Sequence, residues 1–288
     1  MGRDHPGVLG QPPAIRTIVV IGGGTMGSGI AAQAVVAGRD VTVVEVSDAA
    51  ARQTVERVER LLDQAVAHGA ERSAFGAVAA RSGLDAVVAA DLVIESVPEV
   101  VELKREVLHS ASKIARRDAI FATNTSSIQV ADLASSVQDP SRFGGLHFFN
   151  PVLPSQLIEV VVGGATSEAT TDALVAAARG FGKEPIVVRD RPGFATSRLG
   201  VLLGLEAARM LEEEVASAED IDRGMQLGYR HPVGPLRLSD LVGLDVRLQI
   251  ARYLAVHLGS RFEPPQILID KVARGELGRK SGRGFFEW

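Results

Sequence analysis

The stretch that most constrains this chain is Gly22-Gly-Gly-Thr-Met-Gly27. It lies between a β-branched run, Ile15-Arg-Thr-Ile-Val-Val-Ile21, and a helix-compatible segment over residues 24–37. A short apolar run that stops at glycines reads as a buried parallel strand. In G-x-G-x-x-G spacing the three glycines have separate duties. Gly22 permits a tight turn, Gly24 lets the backbone approach a pyrophosphate, and Gly27 allows helix and strand to pack closely. The helix start behind them, with Thr25 and Met26, offers N–H groups and a partial positive charge to phosphates. Glycine-rich turns are common, and the context makes this one specific. Glu45 ends the next strand, 18 positions after Gly27, where a carboxylate accepts a hydrogen bond from a ribose 2′-hydroxyl. It also repels a 2′-phosphate, and no Arg or Lys follows in residues 46–51. NAD is therefore expected over NADP.

The alternation continues beyond this unit. Strands are expected at residues 41–45, 92–97, 119–123, 143–148, 157–162 and 185–188, with helices at 48–67, 101–115 and 168–181 between them. Such alternation implies a parallel sheet covered on both faces. Near Arg189-Asp-Arg-Pro-Gly193 the strand signal ends. A long helix over 194–214 follows, apolar on most faces, and Ser217-Ala-Glu-Asp220 resembles a capping box for the next helix. Further helices start near Leu236, Val246 and Pro265. The expected architecture is α/β: an N-terminal Rossmann-type, doubly wound sheet over residues 15–190, then an all-helical C-terminal domain over 191–288. Residues 1–14, rich in Gly and Pro, read as a flexible tail.

Composition excludes several classes. With 288 residues, about two domains are expected at ~150 residues each. The chain has no cysteine, which removes disulfides, thiolate zinc sites and a catalytic thiol. Lys and Arg number 31 against 35 Asp and Glu, a net charge of −4 that gives no footprint for nucleic acid. The longest apolar run is broken by Arg198, Glu206 and Arg209, so no membrane span is expected. No signal peptide is recognisable, and a cytoplasmic location is expected. No His spacing points to a metal.

A second constellation lies between Thr123 and Glu159. Asn124, Ser126 and Ser127 follow a strand, at the carboxyl edge where ligands bind in such sheets. His147 stands among apolar neighbours in Gly145-Leu-His-Phe-Phe-Asn150-Pro, and Glu159 sits inside the apolar run Leu157-Ile-Glu-Val-Val. A charge there is costly unless paired. His147 is the natural partner, across eleven residues. Such a pair fixes the imidazole tautomer and makes a general base for an alcohol proton. The residues alone leave two alternatives equally open: a satisfied core histidine, and a Glu159 that faces solvent from an edge strand.

These segments together resemble the short-chain L-3-hydroxyacyl-CoA dehydrogenases, including the bacterial 3-hydroxybutyryl-CoA dehydrogenases. The resemblance runs from about Ile15 to Trp288. It is carried by GGGTMGSGIA, DLVIESVPE, ATNTSSI, FGGLHFFNPV, DRPGF, RHPVGPLRLSDLVGLD and LGRKSGRGFFEW. It implies oxidation of a short-chain L-3-hydroxyacyl-CoA to the 3-oxoacyl-CoA with NAD. His147 would be the base, Glu159 its orienting partner, and Ser126 and Asn150 would act beside the reacting carbon. The same resemblance adds Asn124, Glu99, Lys104 and Lys280 to the cofactor contacts, and Ser197 with Ser126 to the substrate contacts.

Two departures stand out. Ser197 replaces an asparagine found in many relatives, and a serine cannot bridge two partners in the same way. The helix after Glu45 lacks a clear counterpart of residues that hold CoA, leaving Arg57 and Arg60 as candidates by charge. The alternatives are a dehydrogenase of a free 3-hydroxy acid, similar to gulonate and carnitine dehydrogenases, and a non-catalytic dinucleotide-binding protein like crystallin relatives. A homodimer through the helical domain is expected, because its first helix carries more apolar surface than one small domain covers.

Overall fold

A computed structural model describes residues 15–288; the expected tail, residues 1–14, lies outside the described residues. The chain forms two compact units, one ending at Asp190 and the other spanning Arg191–Trp288.

In the first unit the β-branched run becomes β1 (Thr17–Ile21), and the glycines lead into α1 (Thr25–Val36). Every position of α1 from Gly27 to Val35 is buried, as its near-continuous apolar sequence requires. Gly38, at φ 75°, turns the chain into β2 (Asp40–Glu45). Ser47 caps α2 (Asp48–Ala67), its Oγ accepting from the Ala50 N–H, and α2 buries only the stripe Ala51, Thr54, Val58 and Leu62. There follow β3 (Val78–Ser82), β4 (Leu92–Glu95), α3 (Val101–Ile114), β5 (Ile120–Thr123) and the single-turn α4 (Val130–Ala134). The unit closes with β6 (Phe143–Phe148), β7 (Leu157–Val162), α5 (Glu168–Gly180) and β8 (Glu184–Arg189).

Among the described residues the strands make one eight-stranded sheet in the order β3-β2-β1-β4-β5-β6-β7-β8. The order reverses between β1 and β4, which creates the crevice where such sheets take ligands. Two features differ from the sequence expectation. β3, VAARS, lies on the edge and has a single β-branched residue, Val78, so composition hides it. And β6 and β7 run antiparallel, whereas alternation implied a parallel sheet. Only eight residues, 149–156, join them, too few for a crossover.

The second unit is built of α6 (Thr196–Glu212), α7 (Ala218–Tyr229), α8 (Pro235–Val242), α9 (Leu244–Leu258) and α10 (Gln266–Ala273). Ser217 caps α7 through the Asp220 N–H, and Asp222 caps α8 by accepting from the N–H groups of Leu236 and Arg237, both at 2.8 Å. Val201 and Leu205 of α6 pack with Leu244, Leu248, Ala251 and Leu254 of α9. The C-terminal segment is fastened by buried Asp240. Its carboxylate accepts from the N–H groups of Phe285 and Phe286 and from the indole N–H of Trp288, at 2.8–2.9 Å. No described helix is long and apolar enough to cross a membrane.

Candidate active site

The glycine turn shows why each glycine is needed. Gly22 has φ 96°, and a Cβ on it would lie 2.8 Å from the Ser96 carbonyl oxygen. A Cβ on Gly27 would fall 1.7 Å from the Gly22 carbonyl oxygen, so only hydrogen fits where α1 crosses the turn. Gly24 is different: a Cβ there meets no protein atom within 4 Å. Nothing in the chain itself demands glycine at that position, which fits a turn kept bare for a ligand's close approach. The first turn of α1 (Thr25, Met26, Gly27) has no side-chain cap, so its N–H groups face the same place. These residues fit a dinucleotide pyrophosphate.

Glu45, at the end of β2, accepts from the Gly23 N–H at 2.9 Å and from the Thr54 hydroxyl at 3.1 Å, both through Oε1. One oxygen therefore braces the turn, and Oε2 bonds only the adjacent Val46 N–H, at a long 3.3 Å. Arg57 donates to the Gly23 carbonyl and, at 3.3 Å, to the Ser28 hydroxyl. Nη1 of Arg57, one of two candidates for CoA by charge, is thus engaged with the turn.

At the carboxyl ends of β4 and β5 lies a network that sequence reasoning missed. Glu95, fully buried on β4, accepts from Lys104 at 2.8 and 3.1 Å, from the Val97 N–H at 2.7 Å and from the Thr123 hydroxyl at 2.6 Å. A carboxylate closing the apolar run of DLVIE, with a lysine nine residues on, was the available signal. Lys104 was expected among cofactor contacts. Its ammonium is instead enclosed by Glu95, the Val97 carbonyl and Glu99, the last at 3.2 Å. Glu99 in turn gathers the loop after β5, accepting from the Thr125 and Ser127 hydroxyls and from the N–H groups of Ser126 and Ser127. Desolvation works against the charge of Glu99. Lys104 and the two hydroxyls outweigh it and hold the carboxyl below its ordinary range. The result is a rigid loop in which the Ser126 hydroxyl alone of the three makes no hydrogen bond to the described residues.

His147 lies near the end of β6, two residues beyond Gly145, which pairs with Thr123 of β5. In the antiparallel ladder His147 stands directly opposite Glu159, so both side chains emerge on one face. Nδ1 of His147 and Oε2 of Glu159 are 2.7 Å apart, with His147 6% and Glu159 0% exposed. The structure removes one sequence alternative, since Glu159 is not on a solvated edge, and it pairs the histidine with a carboxylate. Against an acceptor-only carboxylate, Nδ1 carries the proton and Nε2 is the basic nitrogen. Asn124 ties this strand to its neighbour, its Oδ1 accepting from the Phe148 N–H at 2.9 Å, so its carbonyl is spent on the scaffold.

Asn150 is exposed and opens the β6–β7 loop through a cis peptide bond to Pro151. Buried Lys183 clasps that loop from behind, donating to the carbonyls of Val152 at 2.8 Å, Leu153 at 3.0 Å and Ser155. Burial pushes the Lys183 ammonium down to about 8, and its N–H donors meet three carbonyl acceptors. In the second unit, Ser197 sits in the first turn of α6 with its hydroxyl unbonded to described residues. Lys280 is exposed and paired with Asp245 at 2.6 Å. No group of three potential metal ligands occurs among the described residues.

Comparison with known proteins agrees with this geometry. Residues 17–191 match the family model described as "3-hydroxyacyl-CoA dehydrogenase, NAD binding domain", and residues 193–288 match "3-hydroxyacyl-CoA dehydrogenase, C-terminal domain". A probable 3-hydroxybutyryl-CoA dehydrogenase of Bacillus subtilis is 38% identical, with 95% of this chain and 98% of that protein covered. The 3-hydroxybutyryl-CoA dehydrogenase of Bradyrhizobium diazoefficiens is 37% identical, covering 95% of this chain and 96% of the relative. Among solved structures, (S)-3-hydroxybutyryl-CoA dehydrogenase from Ralstonia eutropha superposes with a TM-score of 0.90 at 38% identity, covering 96% of this chain and 99% of that one. A bare glycine turn, a buried His–Glu pair and both domain matches in order converge on one conclusion: this chain belongs to the 3-hydroxyacyl-CoA dehydrogenases, an NAD-dependent oxidoreductase family.

Proposed function

We propose that the protein oxidises short-chain L-3-hydroxyacyl-CoA, with 3-hydroxybutyryl-CoA as the type substrate, and reduces the 3-oxoacyl-CoA in reverse. The observation that carries this reading is the buried Nδ1–carboxylate bond of His147 and Glu159, 2.7 Å long and set by strand register. NAD, held by the glycine turn and Glu45, would supply the hydride acceptor for C3 of the substrate. His147 takes the 3-hydroxyl proton at Nε2, and Glu159 stabilises the imidazolium through Nδ1, as a buried carboxylate does for a general base. In the reducing direction the imidazolium returns its proton to the forming alkoxide. Ser126 bonds the 3-oxygen from a loop that Glu99 holds still. Asn150 acts beside the nicotinamide, and Ser197 is a further substrate contact.

The test is direct. Purified protein should oxidise NADH when acetoacetyl-CoA is added, and His147→Gln should lower kcat by about 10²–10⁴. Absence of turnover on any 3-oxoacyl-CoA overturns the reading. Turnover of unesterified 3-oxo acids in preference to their CoA esters would move the protein to the free-acid branch.

The active form is proposed to be a homodimer joined through the helical unit. Leu199 and Leu203 on α6, Leu227 and Tyr229 on α7, and Leu241 on α8 are exposed. A single chain seldom leaves this much apolar surface uncovered.

A further inference from the structure

Three side chains converge on Gly23, the middle of the glycine turn. Its N–H is taken by Glu45 at 2.9 Å. Its carbonyl accepts from the Ser28 hydroxyl of α1 at 2.7 Å, and again from Nη1 of Arg57 on α2. Helix α2 comes too close here for any side chain: a Cβ on Gly23 would run into the Thr54 hydroxyl and lie 2.7 Å from Oε1 of Glu45. Thr54 and Arg57 are three residues apart on α2, so one face of that helix grips the turn. A trans peptide sets C=O and N–H in opposite directions, so clamping the Gly23 carbonyl against the helices turns the Gly24 N–H the other way. That N–H makes no hydrogen bond to the described residues.

Orienting a carbonyl does not call for a charge. Ser28, fully buried, already does so with a neutral hydroxyl. Arg57 adds a second donor to an oxygen that has one, and with it a positive charge. Among the described residues Arg57 forms no ion pair, and its Nε and Nη2 make no hydrogen bond. The side chain is half-buried. A cation drawn out of water calls for an anion nearby. The nearest features of the turn are built for one: Gly24, with no protein atom near its Cβ position, and the uncapped first turn of α1.

We propose that Arg57 is the counter-charge of the dinucleotide pyrophosphate: fastened to Gly23, its guanidinium adds a full positive charge to the N–H dipoles of the turn. The proposal rests on assigning the glycine turn to the pyrophosphate of the cofactor. The phosphates of CoA are the competing source of negative charge. The dinucleotide is favoured because Nη1 is bonded to the turn itself, which fixes the charge one residue from Gly24.

The experiment measures affinity directly, by titrating the purified protein with NADH and following the cofactor's fluorescence, and by calorimetry with coenzyme A. Arg57→Gln, which keeps an amide donor and loses the charge, should raise the Kd for NADH about tenfold and leave that for coenzyme A within twofold. Arg57→Ala, at a half-exposed helix position, should show the same loss and serves as the test if the Gln variant does not fold. The loss should shrink as salt is raised from about 0.02 to 0.5 M, because added ions screen a partly exposed charge. Arg57→Lys, which keeps the charge, should bind NADH within threefold of the wild type. An unchanged Kd for NADH in Arg57→Gln, or a tenfold loss in Arg57→Lys, overturns the proposal. So does a loss confined to coenzyme A, which gives the guanidinium to the substrate. Gly24→Val separates the two failures, since its Cβ meets no protein atom within 4 Å and a φ of −60° suits any residue. If that variant binds NADH normally, the turn is not the pyrophosphate site and both assignments fall. If it loses NADH while Arg57→Gln keeps it, only the role of Arg57 falls.

Discussion

At the scale of single residues, this site is arranged so that each charge has a stated duty. Glu45 is the clearest case, because Oε1 braces the glycine turn while Oε2 bonds only the adjacent Val46 N–H. Glu45→Gln should keep the amide oxygen as an acceptor for the Gly23 N–H and lose the repulsion of a 2′-phosphate. The kcat/KM preference for NADH over NADPH is expected to fall by about tenfold, the loss of one charge–charge contrast. Steady-state kinetics with the two cofactors check this, and an unchanged preference would assign discrimination elsewhere. His147 and Glu159 stood out in the sequence because each puts a titratable side chain inside an apolar run, and Glu45 stood out by its spacing after the glycine turn. The hydrogen-bond partners of Arg57 and Lys104 were not legible, because a long cation has no period. Their assignment needed the turn and the buried Glu95 that they satisfy.

Among elements, the β6–β7 hairpin brings His147 and Glu159 together, and its loop is held by a single ammonium. Removing it in Lys183→Met would leave three carbonyls without their donor, an expected cost of about 1–3 kcal/mol. The pH dependence has a definite sign. The folded-state value is lowered to about 8 from an ordinary 10.5, so between those values the unfolded chain binds more protons than the folded one. Stability contributed by this group therefore rises with pH across that window, and below about 8 the full desolvation penalty is present. Denaturant titrations of the wild type and Lys183→Met from pH 7 to 10.5 should show their difference in unfolding free energy growing with pH. A constant difference would contradict the assignment. The strands of this unit were mostly readable from apolar runs between glycines and caps. The antiparallel turn was readable only from loop length, and β3 was invisible because edge strands need not be hydrophobic.

For the molecule as a whole, the change from alternating strands and helices to helices alone was visible in composition and periodicity near Arg189. The purpose of the exposed apolar residues was not, since periodicity cannot separate a core stripe from an interface stripe. If α6 and α7 pair with a second copy, Leu203→Asp together with Leu227→Asp should convert a dimer to monomer by light scattering, while the wild type runs at twice the chain mass. A monomeric wild type would refute the dimer.

The fastening of the C-terminal segment to Asp240 has a practical corollary. Trp288 is the chain's single tryptophan, its indole N–H bonded to Asp240 and the Arg237 guanidinium 5.2 Å from its ring. Its emission is thus an intrinsic fluorophore for the helical half alone, whereas circular dichroism averages over both halves. If denaturation curves from the two signals separate, the protein comes apart in stages, and if they coincide, it behaves as one cooperative body.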